Sequence, residues 1–275
     1  MFARLIPLAV VVVTAVVVWR MTRRVEPATD EVAPTTSHIA GSDQERHWRL
    51  QTASGPVHVW IPPSFRAASA DIVVYVHGFY SDVDEAWSEH DLRSQFAASG
   101  INAMFIACEA PSGPRDRVAW PVLGELLQAV GHHLDRELPQ GDVIAVGHSA
   151  AYQTLATWLD DPRLHTIVRL DVPAGDSIAY RRWLAQSTVR RLVDVAGDMK
   201  PWIEPLHALP GALSVDLPAV DACAPSVAEA PVVYMESTAG HMEIVLDGEV
   251  IPAVLRCFAQ QRQPVPVHDR ARASL

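Results

Sequence analysis

The string Gly147-His148-Ser149-Ala150-Ala151 sets a serine between an apolar stretch, Val143 to Val146, and a helical pattern running to Leu159. Where a buried strand turns this sharply into a helix, the serine hydroxyl projects above the sheet edge, and the residues two before and two after it must be small. Gly147 meets that need, and Ala151 adds only a methyl group where a second glycine is usual. The helix that opens at the serine points its N–H groups and positive end at any oxyanion formed there. Alone, the string describes a helix-capping serine equally well, so its partners decide the matter. His77-Gly78-Phe79-Tyr80 follows the strand-like run Ile72 to Val76 and can aim the Phe79 N–H at the same oxyanion as the Ala150 N–H. Gly240-His241 follows another such run, Val232 to Met235. That placement singles out one of twelve histidines as a general base at the carboxyl edge of a sheet, where open α/β sheets bind ligands. Asp198, just past a strand end beside Gly197, is the candidate acid; Asp176, in Pro173-Ala174-Gly175-Asp176, is the alternative. Asp194 falls inside a strand and fits the role less well.

The elements that must carry these residues follow from apolar periodicity. Arg46 to Thr52 and Pro56 to Ile61 read as a hairpin around Ser54-Gly55. Asp71 to Val76 is a continuous β-branched run, as in a strand buried on both faces of a parallel sheet. Glu85 to Ser99 reads as a helix closed by Gly100, Ile101 to Ala107 as a strand, and Trp120 to Leu138 as a helix. Thr166 to Val172 and Val189 to Val195 are two further strands, with helices near Ile178 to Ala185 and after His241. This alternation predicts an α/β fold, a mostly parallel sheet with helices on both faces. Only Pro173 to Thr188 separates two of the strands, which leaves no room for a cap domain. The longer connection, Met199 to Pro231, has the look of a segment with little regular structure. On one reading it is a surface excursion; on the other Trp202 forms one wall of a substrate pocket, with Tyr80 and Trp120 opposite.

Composition narrows the function classes. A formal charge of −10 spread along 275 residues excludes the clustered Lys and Arg that phosphate backbones require. Three cysteines, Cys108, Cys223 and Cys257, stand in no pattern that gives a disulfide framework or a zinc site. No H-E-x-x-H string, Walker glycine pattern or dinucleotide glycine pattern is present, so no metal or cofactor is expected. Residues 1–24 read as a hydrophobic anchor or signal segment. Leu5 to Trp19 is uncharged, Arg4 and Arg20 flank it, and no small-x-small cleavage pattern follows. A fully helical run of that length reaches only about 22 Å, so the flanking residues must complete a span. The expectation is a membrane tether of undetermined side, or secretion if the segment is cleaved. Residues 25–45 read as a flexible linker, 46–262 as the globular domain and 263–275 as a flexible tail.

Taken together, Val73 to Tyr80, Val143 to Ala151, Val193 to Asp198 and Ser237 to Ile244 resemble the α/β-hydrolase superfamily, and the resemblance spans roughly residues 46–260. The hairpin ending in Val59-Trp60-Ile61-Pro62-Pro63 is also similar to the start of esterases related to feruloyl esterase and polyester depolymerases. The chain order Ser149, Asp198, His241 is the order this fold uses. The resemblance implies an esterase-like serine hydrolase without cofactor, acting on a small-molecule or acylated substrate through an acyl-enzyme intermediate. Peptidase, amidase and thioesterase activity on the same residues remain alternatives, as does a tethered binding protein that has lost turnover.

Overall fold

The structure is a computed structural model, and it describes residues 37–40, 46–173, 175, 177–200, 209, 211–217 and 224–261. All of them belong to one compact unit, Pro34–Leu275. The predicted N-terminal anchor and C-terminal tail lie outside the described residues. Among the described residues no helix is long and apolar enough to cross a membrane.

The strands are β1 (Ser37–Ala40), β2 (Arg46–Thr52), β3 (Gly55–Ile61), β4 (Asp71–Val76), β5 (Ala103–Cys108), β6 (Val143–His148), β7 (Leu164–Leu170), β8 (Arg191–Ala196), β9 (Ala212–Asp216) and β10 (Val232–Glu236). They form one sheet in the order β1-β2-β3-β5-β4-β6-β7-β8-β10-β9. Strands β1, β2 and β3 run antiparallel to their neighbours, and every pairing from β5 to β9 is parallel. The chain leaves β4 for β5 on one side and returns to β6 on the other. The carboxyl ends of β4 and β6 therefore flank a topological switch point, where α/β sheets hold ligands.

Helices α1 (Val83–Glu89), α2 (Leu92–Ser99), α3 (Leu123–Leu134), α4 (Tyr152–Thr157), α5 (Ser177–Ala185), α6 (Pro225–Glu229), α7 (Glu243–Leu246) and α8 (Val250–Gln261) complete the fold. Alternation along β4 shows why both faces must be covered. Ile72, Val74 and Val76 join a core cluster with Leu123, Leu126 and Val130 of α3, Trp158 and Trp183. Val73 and Tyr75 join the opposite cluster with Phe96 of α2 and Ile251, Val254 and Leu255 of α8. Each such aliphatic side chain contributes roughly 1.5–3 kcal/mol by leaving water.

Three elements differ from expectation. The helix expected from Glu85 to Ser99 is two helices, broken at His90 and at Asp91, which is left-handed at φ 43°. The His90 ring turns inward to meet the Tyr75 hydroxyl at 2.9 Å, and its carbonyl accepts from Gln95 Nε2 at 2.6 Å. The expected linker contains β1, which pairs with β2. Finally, the described residues of the Met199–Pro231 connection include both β9, hydrogen-bonded to β10, and α6.

Candidate active site

Ser149 follows β6 directly, opens a 3-10 turn that leads into α4, and has a φ of 53°. A non-glycine residue in that left-handed region costs about 1–3 kcal/mol, and the surroundings must hold it there. Those surroundings are tight. A Cβ built on Gly147 would stand 2.7 Å from both the Ala151 methyl and Leu155 Cδ1. One built on Gly78 would stand 2.8 Å from the Ser149 Cβ. The first contact shows why a glycine precedes the serine once Ala151 follows it. The second shows that the loop after β4 passes directly against the turn that carries Ser149.

That loop is fixed from behind. His77 is buried; its Nδ1–H donates to the Gly78 carbonyl at 2.8 Å, and its Nε2 accepts from the Ala110 N–H at 3.0 Å. In a trans peptide the carbonyl and the following N–H point oppositely. Holding the Gly78 oxygen therefore sets the direction of the Phe79 N–H. The next residue, Tyr80, is left-handed at φ 64°, and its N–H donates to the Ser112 carbonyl at 2.8 Å.

The expected pairing of serine and histidine is present. Ser149 Oγ–H donates to His241 Nε2 at 2.8 Å. The expected acid is not at the imidazole. His241 Nδ1–H donates at 2.6 Å to Oδ2 of Asp171, the residue immediately after β7. Asp198 instead accepts the main-chain N–H of His241 at 2.9 Å. The correction has a clear physical cause. Asp171, left-handed at φ 49°, anchors its N–H on the Val195 carbonyl at 2.7 Å, and its Oδ1 accepts from the N–H groups of Gly197 and Met199 at 2.8 and 2.9 Å. The turn bearing Asp198 thus wraps the Asp171 carboxylate and leaves its own side chain to the histidine's backbone. Asp176 lies outside the described residues. Asp194 is buried in β8 within 3.5 Å of the buried Arg169 guanidinium.

Electrostatics agree with the hydrogen bonds. Burial pushes the Asp171 carboxyl up, but bonds from His241, Met199 and Gly197 outweigh it and hold the group below the usual carboxylate range. His148, between Gly147 and Ser149, is pushed down to about 3 by burial, against the raising effect of its bond to the His241 carbonyl. His90 behind it is pushed down to about 4, again by burial first. Burial raises Asp194 to about 6 despite Arg169.

Of the expected pocket residues, Tyr80 is 69% exposed beside the loop after β4. Trp120 is buried in the core, and its carbonyl accepts from Trp158 Nε1 at 2.7 Å, so it forms no wall of an open pocket. The reason is packing: the Trp120 side chain belongs to the core cluster with Leu123, Leu126 and Trp158, the residue just past α4. Trp202 lies outside the described residues. Among the described residues no group of three or more His, Cys, Asp or Glu is placed to hold a metal ion.

No family model matches the chain, and no curated protein matches it. Solved structures do. A feruloyl esterase module from Clostridium thermocellum, solved with sinapinate, superposes with a TM-score of 0.56 at 11% identity, over 87% of this chain and 100% of that one. A fluorophosphonate-binding serine hydrolase of Staphylococcus aureus gives 0.51 at 12% identity, over 81% and 98%. The S-formylglutathione hydrolase of Agrobacterium tumefaciens gives 0.50 at 11%, over 82% and 96%. At these identities the likeness is one of fold, and the fold is that of the α/β hydrolases.

Proposed function

We propose that this chain is a serine hydrolase that cleaves carboxylic esters, with Ser149 as nucleophile, His241 as general base and Asp171 as the orienting acid. The observation that carries the reading is the unbroken relay Ser149 Oγ, His241 Nε2, His241 Nδ1, Asp171 Oδ2, at 2.8 and 2.6 Å. The esterases and serine hydrolases among the similar folds favour an ester over an amide.

In the first step Ser149 Oγ attacks the ester carbonyl and its proton passes to His241 Nε2. The resulting imidazolium is stabilised by Asp171, whose carboxylate stays ionised because main-chain N–H groups hold Oδ1. The tetrahedral oxyanion is taken by the N–H groups of Ala150 and Phe79. His241 then protonates the leaving alcohol, and the acyl group stays on Ser149. In the second step His241 takes a proton from water, hydroxide adds to the acyl carbon, and the carboxylic acid leaves as Ser149 recovers its proton. Exposed Tyr80 and Met242 stand next in the chain to Phe79 and His241, which supports apolar acyl or alkoxy groups at the rim. The apolar N-terminal run tethers the domain to a membrane in this reading.

The test is labelling of the full chain with a fluorophosphonate probe, followed by turnover of p-nitrophenyl esters of rising chain length. Ser149→Ala should abolish labelling and turnover with an unchanged circular dichroism spectrum. Labelling that persists at another serine refutes the assignment.

A further inference from the structure

We propose that His148 and Asp198 are positioning residues that clamp the main chain of His241 from its two sides, His148 at the carbonyl and Asp198 at the N–H. The proposal rests on the reading of His241 as the general base.

The need for a clamp follows from where His241 sits. It lies between β10 and α7, outside any helix or strand, and its side chain is 34% exposed. Asp171 fixes the ring's tilt and tautomer but cannot fix the position of the backbone that carries it. A displacement of about 1 Å would break the 2.8 Å contact with Ser149, and errors of that size cost about 100-fold in rate. Two side chains outside the Ser-His-Asp relay hold that backbone. His148 Nε2–H donates to the His241 carbonyl at 2.9 Å, and Asp198 Oδ2 accepts the His241 N–H at 2.9 Å.

Each arm references the base to a different partner. His148 ends β6 and is covalently next to Ser149, so it ties the base to the nucleophile's own strand. Its ring lies 4.8 Å from the His241 ring at 37°, which supports the imidazole from the side. Burial keeps His148 neutral, so Nε2 can carry the proton it donates. The His90 ring meets it edge-on at 6.1 Å, held in turn by the Tyr75 hydroxyl. Asp198 belongs to the turn whose N–H groups at 197 and 199 grip Asp171, so it ties the base to the acid. A carboxylate placed like a catalytic acid thus acts through the peptide of the histidine, not through its ring.

Four variants of the full chain separate the two contacts from general packing. His148→Phe keeps an aromatic ring without a donor, and His148→Gln restores an N–H. Asp198→Ala removes the acceptor, and Asp198→Asn restores an oxygen. With p-nitrophenyl acetate, and active sites counted by fluorophosphonate titration, His148→Phe and Asp198→Ala should each lower kcat about 10- to 100-fold with KM within about twofold. The Gln and Asn variants should return to within about fivefold of wild type. Hydrogen exchange across Ser237–Met242 tests the clamp without activity and should accelerate about tenfold in His148→Phe and Asp198→Ala. Unchanged exchange in both, wild-type kcat in both, or losses confined to KM or to the active fraction would overturn the clamp. Failure of the wild type to label at Ser149 would overturn the esterase reading alone, while the exchange result would still decide the clamp.

Discussion

Asp171→Asn is the sharpest test of the relay, because the structure dictates which way the amide must face. Oδ1 of Asp171 takes two main-chain N–H groups, Gly197 at 2.8 Å and Met199 at 2.9 Å, and Oδ2 takes His241 Nδ1–H at 2.6 Å. An asparagine has one oxygen. Turning its NH2 toward Gly197 and Met199 would set donors against one buried and one part-buried donor, at about 1–3 kcal/mol for a buried group left unsatisfied. The oxygen therefore stays there, and the NH2 faces His241 Nδ1. That nitrogen must then accept, so the ring proton moves to Nε2, which can no longer take the Ser149 proton. A wrong-tautomer triad loses about 10⁴ in kcat, equivalent to about 5.5 kcal/mol of transition-state stabilisation. Steady-state turnover of p-nitrophenyl acetate reads the loss directly, with KM and the thermal midpoint close to wild type. Asp198→Asn keeps an acceptor for the His241 N–H and should fall far less. The assignment fails if Asp171→Asn stays within about tenfold of wild-type kcat, or if Asp198→Asn loses as much.

The remaining predictions concern crowding, titration and the sheet edge. Gly78→Ala drives a methyl against the Ser149 Cβ, so kcat and the probe-labelling rate should fall well before stability does; unaltered labelling kinetics would mean the loop simply moves aside. Gly147→Ala meets both Ala151 and Leu155, and urea denaturation should show a loss of about 1–3 kcal/mol; an unchanged midpoint would refute the contact. His90 and His148 are held neutral, at about 4 and about 3 against an ordinary 6.5, so below pH 6.5 the unfolded chain takes up their protons first. Their contribution is present above pH 6.5 and declines as pH falls, each by up to about 1.4 kcal/mol per pH unit. Asp194, raised to about 6, works the other way, because its folded carboxyl protonates first as pH drops. Denaturation between pH 6.5 and 4 should therefore show a shallower slope in His90→Gln by about one proton, and an unchanged slope would exclude His90 as a source. A chain beginning at Asp43 lacks β1 and should be less stable or less soluble than one beginning at Pro34; equal behaviour would make β1 dispensable.

The pairing of Ser149 with His241 and the loop after β4 were legible because Ser149 and the loop directly follow strands whose apolar runs are unmistakable, and His241 lies five residues past another. The carboxylate that meets the His241 imidazole was not, and the reason lies in two residues. Val172 follows Asp171 and is itself buried, so the apolar run appears to continue through the aspartate. The strand ends at Leu170, and Pro173 two residues beyond Asp171 was the available sign that it had to. Asp198 looked correct because it does stand at the site, on the peptide of His241. The break at His90 depends on a hydroxyl from β4 that no local pattern reveals. Strand β9 is five residues closely bounded by Gly211 and Pro218, too short for alternation to stand out in a Pro- and Ala-rich stretch. Trp120 was taken for a pocket wall because an aromatic side chain looks the same in sequence whether it lines a pocket or packs in the core.

The two outermost strands bear on how the molecule behaves when crowded. The sheet ends in β1, four residues long, and in β9, five residues long; the side chains of β9 are half-buried or exposed. Between them every strand has both neighbours filled. A foreign strand docking on either rim finds a ladder of only a few rungs, and short edges of this kind resist the open-ended growth that turns sheets into fibrils. A sheet of ten described strands thus presents very little template for an eleventh.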